Sequence, residues 1–196
     1  MIAFAVRPAA LDDAVGVARI KIAGWRAAYI GIVPASVLDG MNDIRTAAGW
    51  SDLIEKPAPR TGVMVAEMPA AGDAPARVVG FTHFAPLRSS GPPTAEPAAK
   101  QADWGEVTTL YVDPSFQRRG IGTRLLKSAF ARMAAVGLMR VRLWSLAKNK
   151  AGNAFYERCG GQAGETAELA LGGVKILEIA YDWPAPATVS DGKPAA

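Results

Sequence analysis

The run Leu110-Tyr111-Val112-Asp113-Pro114-Ser115-Phe116-Gln117-Arg118-Arg119-Gly120-Ile121-Gly122-Thr123-Arg124-Leu125-Leu126 constrains this chain more than any other segment. Val107 to Val112 is rich in β-branched and aromatic residues, Pro114 cannot donate to a sheet, and Ile121, Leu125, Leu126, Met133 and Val136 then recur at helical spacing. The segment reads as a strand, a basic glycine-containing turn and an amphipathic helix. A turn of this kind offers the unpaired first N–H groups of the helix to an anion. Gly120 and Gly122 let a ligand approach the main chain, and Arg118, Arg119 and Arg124 add positive charge. A phosphate-bearing, nucleotide-like ligand is the expectation, against the alternative of an ordinary helix start with a solvated basic face.

Two phosphate loops are excluded by spacing. No Gly-x-x-x-x-Gly-Lys-Ser/Thr run occurs, and the third glycine of a dinucleotide fingerprint is replaced by Leu125. What remains is Gln117-x-x-Gly120-x-Gly122, preceded by Val112-Asp113-Pro114. Downstream come a strand-like run, Met139 to Ser145, and Asn149-Lys150-Ala151-Gly152-Asn153-Ala154-Phe155-Tyr156-Glu157-Arg158-Cys159-Gly160. Together these resemble the GCN5-related N-acetyltransferase (GNAT) superfamily, with its Gln/Arg-x-x-Gly-x-Gly/Ala loop and its Asn-x-x-Ala-x-x-Phe-Tyr-Glu-x-x-Gly-Phe signature. Gly152 stands where Ala is usual and Gly161 where Phe is usual. The first costs helix propensity, about 1 kcal/mol, and the second removes an apolar anchor. Upstream, Trp25-Arg26-x-x-Tyr29-x-Gly31 and Pro34 to Leu38 resemble the first helices of a bacterial subgroup, so the resemblance spans residues 2 to 183.

Composition agrees with one globular enzyme domain, residues 1–183: the chain has 196 residues, 50% of them apolar and 20% charged. The net charge of +4 suits an anionic cofactor but is too small and too dispersed for nucleic acid. A single cysteine, Cys159, leaves no intrachain disulfide, and no Cys/His cluster offers a metal site. The first residues lack a basic segment before an apolar one, and no apolar run reaches membrane-spanning length. A soluble cytoplasmic protein without membrane partners is expected, and self-association as a homodimer is compatible with the sequence.

Along the chain, Ile2 to Val6 reads as a strand. Leu11, Val15, Ala18, Ile22, Trp25 and Tyr29 share one helical face, with Asp12 and Asp13 near its positive end. Asn42 to Ile54 reads as a helix ended by Pro57-Ala58-Pro59, and Gly62 to Glu67 and Val78 to Phe84 as an antiparallel pair joined by a mobile turn. Residues 86–103 are a Pro/Ala-rich excursion, either a substrate lid or a solvated insertion. Ile176 to Asp182 is a last strand, and 184–196 reads as a disordered tail. The pattern is β-α-α-β-β-β-α-β-α-β, an α/β fold with a mixed, mostly antiparallel sheet of six or seven strands and helices on both faces.

The resemblance implies more. The strands ending at Val112 and Ser145 would run parallel and splay, with acetyl-CoA as co-substrate in the gap and no metal. A β-bulge in the first of them would turn Leu110 and Val112 toward the acetyl carbonyl and the pantetheine amides. Tyr111, Gln117, Arg118, Arg119, Gly120, Ile121, Gly122, Thr123, Asn149 and Tyr156 complete the implied cofactor site.

The acceptor would be a small-molecule amine or a protein amino group. An amine of pKa about 10.4 must lose a proton to attack a thioester. Glu106, eleven residues before Gln117, is the candidate base, at the separation histone acetyltransferases of the superfamily use; the alternatives are a solvated Glu and a water chain. The resemblance makes Tyr156 the candidate acid for the departing thiolate, against a core aromatic, and has Asn149 bind pantetheine, against simply capping its helix. It also implies that the first helices cover the acceptor end, which makes Trp25, Arg26 and Tyr29 the acceptor-pocket candidates, Arg26 because it lies off the apolar stripe. Asp113 reads as a turn residue and His83 as a hydrogen-bonded sheet residue. A non-catalytic acyl-CoA-binding module is the rival function.

Overall fold

The structure, a computed structural model, describes residues 3–72, 74–87 and 102–190. Among these residues β1 is Ala5–Pro8, α1 Ala14–Tyr29, α2 Ala35–Asp39, α3 Asp43–Glu55, β2 Gly62–Met68 and β3 Arg77–Pro86. There follow β4 Trp104–Val112, α4 Ile121–Ala135, β5 Arg140–Leu146, α5 Lys150–Arg158, β6 Gln162–Leu171 and β7 Val174–Trp183. The strands form one seven-stranded sheet in the order β1-β2-β3-β4-β5-β7-β6. Neighbours are antiparallel except β4 and β5.

Each face of the sheet buries a separate apolar stripe. Ile121, Leu125, Leu126, Ala129 and Met133 of α4 pack on Val79, Val107, Val141 and Leu143. On the other face Val17, Ala18 and Ile20 of α1 and Trp50 of α3 pack on Val63, Val65 and Phe81. Glycines set the closeness of both contacts: a Cβ on Gly24 would lie 2.7 Å from the Tyr111 ring, and one on Gly80 3.0 Å from Leu125. Arg7 ties β1 to the start of the α1 segment by bonding both Asp13 and Glu67.

The sequence reading differs from the structure in three places. The first strand is Ala5–Pro8, not Ile2 to Val6: Pro8 is tolerated because β1 is a sheet edge. Residues after Gly161, for which the pattern has no strand, form strand β6, whose exposed-to-intermediate alternation belongs to an edge strand facing solvent on one side. Of the segment read as a disordered tail, residues 184–190 dock on the core. Ala187 N donates to Met139 O and Ser190 N to Cys159 O, while Ala187 and Val189 pack against the α4 cluster. Residues 88–101 of the excursion, Asp73 of the turn and 191–196 of the tail lie outside the described residues.

Candidate active site

The parallel pairing of β4 and β5 is brief. Trp104, Gly105 and Glu106 pair with Arg140, Val141 and Arg142, and no pairing follows. Beyond Glu106 the strands part, so β4's backbone groups on that side have no strand partner. The loss begins where β4 is deformed on its other side: Val107 pairs with Phe84 and Thr109 with His83, leaving Thr108 as the extra residue of a bulge. The expected bulge is present, a few residues before the strand's end.

The gap opens into a cleft of about 710 Å³. Its walls are β4 from Val107 to Val112, the α4 entry loop, Leu143 to Ser145 of β5, and Lys148 to Gly152 with Phe155 and Tyr156 of α5. Gly24, Ala27, Ala28 and Tyr29 of α1 close one side, and Arg118, Lys148, Lys150 and Arg158 are its cations. Among the described lining residues none is acidic, so the cleft favours an anion.

The loop at one end is built for close approach. Asp113 Oδ1 accepts from the N–H of Ser115 and from its hydroxyl, fixing the turn after β4. Gly120, at φ +80°, caps α4 in the left-handed region, and Arg118 at φ +62° adopts the same region two residues earlier. Arg124 N bonds back to Gly120 O, which leaves the N–H groups of Ile121, Gly122 and Thr123 without helical partners beside the cleft. Arg119 is displaced from this set: its guanidinium stacks 5.3 Å from the Phe116 ring and donates to Ser115 O, so it braces the loop from outside. Leu110, Tyr111, Val112, Gln117, Arg118, Gly120, Ile121, Gly122, Thr123, Asn149 and Tyr156 all line the cleft.

At the other end three phenols converge. Tyr156 is 9% exposed, with its ring 5.3 Å from Phe155 and 5.6 Å from Tyr181. Burial, followed by Tyr29, Cys159 and Tyr181, pushes its hydroxyl far above the usual phenol range, so it stays a proton donor at neutral pH. The Tyr29 and Tyr111 hydroxyls are 3.4 Å apart, and burial raises both.

Asn149 caps α5: its Oδ1 accepts from Gly152 N at 3.2 Å, and it lines the cleft as well. Gly152 is thereby explained, since a Cβ there would lie 2.5 Å from Asn149 Nδ2 and push the cap aside. Gly161 is explained by Trp183 of β7, whose ring would lie 2.7 Å from a Cβ at 161. That indole, 1% exposed, donates to Cys159 O and packs 5.3 Å from Phe130, supplying from a distant strand the anchor that position 161 lacks.

Glu106 is 1% exposed and does not line the cleft. Strand alternation directs it to the sheet face opposite Val107, the α1/α3 face, where it acts electrostatically on His83. His83 Nδ1 lies 2.6 Å from Thr108 Oγ1, and burial lowers its pKa, with Glu106 opposing. Trp25 and Arg26 do not line the cleft. Trp25 meets Tyr29 edge-on at 5.1 Å and packs toward α2, while Arg26 is exposed on the outer side of α1. The α1 stripe turns toward the cleft only at Gly24, Ala27, Ala28 and Tyr29. Cys159 is 2% exposed and burial pushes its thiol up, the reverse of a nucleophile's environment.

Sequence reasoning missed Thr108, Thr109, Trp144 and the lysines at 148 and 150. The lysines flank Asn149 and were legible as charge beside a motif; the others depend on where β4 and β5 part.

The comparisons with known proteins agree with this geometry. The chain is 26% identical to an uncharacterized N-acetyltransferase, YuaI, of Bacillus subtilis (strain 168), over 91% of this chain and 92% of that protein. It is 30% identical to a mycothiol acetyltransferase of Mycobacterium sp. (strain JLS) over 86% of this chain, and spans 48% of that protein's length. The structure of yncA, a putative acetyltransferase from Salmonella typhimurium with its cofactor acetyl-CoA, shares the fold at a TM-score of 0.67 and 15% identity, covering 98% of this chain and 99% of that one. The acetyltransferase (GNAT) family model matches residues 40–161, which includes the bulged strand, the α4 entry loop and α5, and the chain belongs to that family.

Proposed function

We propose that this protein transfers the acetyl group of acetyl-CoA directly to the amine of a small molecule. The observation that carries the reading is the continuity of one cation-lined cleft from the free N–H groups of α4 to the buried Tyr156 hydroxyl. The CoA pyrophosphate sits on the N–H groups of Ile121 to Thr123, with Arg118 and Lys148 nearby. The pantetheine arm takes the place of β5 along the unpaired edge of β4, bonding main-chain groups of Leu110 and Val112. Asn149 adds a side-chain contact from the far wall.

In the reaction the amine lone pair attacks the thioester carbon, a C–N bond forms and the carbonyl electrons move to oxygen. Collapse breaks the C–S bond, and the sulfur leaves with the electron pair. Tyr156 donates a hydrogen bond to that sulfur and so stabilises the departing thiolate; burial raises its pKa and keeps the proton on the phenol, where it can make that bond. Glu106 receives the proton lost by the amine. It does so from the α1/α3 face, because it faces away from the cofactor side of β4. Tyr29 frames the acceptor end. Relatives named as acetyltransferases, one of them for mycothiol, support the reaction and a small-molecule acceptor.

The test is release of CoA thiol on addition of amines. Release that depends on the amine supports transfer, whereas CoA binding without any release over a broad amine panel turns the reading into that of a non-catalytic acyl-CoA-binding module. Glu106→Gln is expected to lower kcat/KM by about 100-fold or more while the CoA-induced rise in Tm is retained. Wild-type kcat/KM in that variant removes Glu106 as base.

A further inference from the structure

A second cavity, of about 480 Å³, lies on the α1/α3 face and is lined by Lys21, Arg45, Thr46, Gly49, Trp50, Leu53, His83, Thr108 and Thr109. It shares Thr108 and Thr109 with the cofactor cleft, so only the bulged part of β4 separates the two. Thr109 Oγ1 is buried with no hydrogen-bond partner among the described residues, a cost a native structure tolerates where a ligand or water completes the bond. The charge here is one-sided. Lys21 and Arg45 are its cations, no described lining residue is acidic, and neither cation has a carboxylate partner among the described residues. Lys21 is half-buried with its ammonium 5.5 Å from the Trp50 ring centroid, an aromatic face that holds it in place of a carboxylate among the described residues. A half-buried ammonium without a counter-ion is costly, and burial lowers its pKa.

We propose that this cavity is the acceptor subsite and that the acceptor is a small amine carrying an anionic group, a carboxylate or a phosphate. Lys21 and Arg45 bind the anion, Trp50 covers the intervening carbon skeleton, and the amine end lies at Thr108 and Thr109 beside His83, behind which Glu106 is buried and acts on the imidazole electrostatically. The assignment rests on the acetyl-transfer reading, and it accounts for a base that faces away from the cofactor cleft.

The experiment measures CoA thiol release with matched amines: ω-amino acids of increasing chain length against the same amines without the carboxylate, and an aminoalkyl phosphate as a third arm. The anionic members are expected to have kcat/KM at least about 10-fold higher, with the carboxylate and phosphate arms identifying the anion. Lys21→Met and Arg45→Met are expected to raise KM for the anionic amine by about 10-fold, leaving the neutral amine and the CoA-induced rise in Tm unchanged. Equal use of charged and neutral amines, or turnover of neutral amines alone, overturns the subsite. So does a lack of turnover with every anionic amine while some other amine of the broad panel still releases CoA thiol. Absence of release with any amine of the broad panel, with or without a CoA-induced rise in Tm, instead overturns the acetyl-transfer reading on which the subsite depends.

Discussion

Replacing Gly120 separates backbone strain from ligand exclusion. Its φ of +80° belongs to the left-handed region, and a Cβ built there meets no atom within 4 Å in the unliganded protein. The fold therefore loses only the conformational term, about 1–2 kcal/mol for an ordinary residue. For a domain of this size that lowers Tm by roughly 2 to 8 °C, at about 2–4 °C per kcal/mol. The open space into which the Cβ points adjoins the cofactor cleft, so the ligand meets the obstruction that the protein does not. Wild-type protein at 100 times Kd of CoA gains about 2.7 kcal/mol, a rise of roughly 5 to 11 °C. Gly120→Val is expected to abolish that rise. Gly120→Asn carries the same Cβ but tolerates the left-handed region, so its unliganded Tm is expected nearer wild type while CoA affinity still drops by about 10-fold or more, about 1.4 kcal/mol. Thermal denaturation with a CoA titration reads both effects. A Val variant that binds CoA with wild-type affinity would refute the placement of the pyrophosphate, and one that fails to fold would refute the claim that the site is sterically open.

Tyr156→Phe is expected to lower kcat by roughly 10- to 1000-fold, the scale of lost acid catalysis, with the CoA-induced Tm rise retained; an unchanged kcat makes the phenol a core aromatic only. Arg7 hydrogen bonds hold the Glu67 carboxyl below its usual range and do the same for Asp13 against the cost of burial. Their contribution is complete above about pH 5 and is lost as pH falls through the lowered values, so in Arg7→Met denaturant melts should show a flatter acid limb below about pH 5. In the alkaline direction the buried Tyr111 and Tyr156 phenols, raised above their unfolded values, favour the protonated folded state. Stability is therefore expected to fall above about pH 10, where the unfolded chain ionises first, and to fall less in Tyr111→Phe. Gly161→Phe, which restores the usual family residue, is expected to cost about 1–3 kcal/mol by overpacking against Trp183, measured as a lower Tm; a stabilised variant would show that Trp183 can move aside.

Much of this protein was legible in its sequence because the signals are local. Alternation and β-branching mark β4, periodicity marks α4, the glycines and arginines between them mark an anion loop, and Asn149 with Phe155 and Tyr156 marks α5. The strand and the α4 helix depend on backbone preferences within one or two turns of chain, the α5 motif was read through the family resemblance, and all three elements appear where they were read. Other features have no local cause. Glu106 lies in a strand whichever way it faces, and only the bulge at Thr108 and the register with Arg142 direct it away from the cofactor cleft. Arg26 and Tyr29 share a helix, but the packing of Gly24 on Tyr111 fixes which of them meets the cleft. The anchor missing at Gly161 comes from Trp183, twenty-two residues on, because β7 returns between β5 and β6. The cavity that joins Lys21, Trp50 and His83 exists because α1 and α3 cross one face of the sheet. The sequence by itself determined β4, α4, α5 and the glycine-containing turn between the first two, whose character resides in consecutive residues. The tertiary structure decided the α1/α3 side of β4, where the groups that meet come from four separate segments and are brought together by the long-range burial of apolar faces.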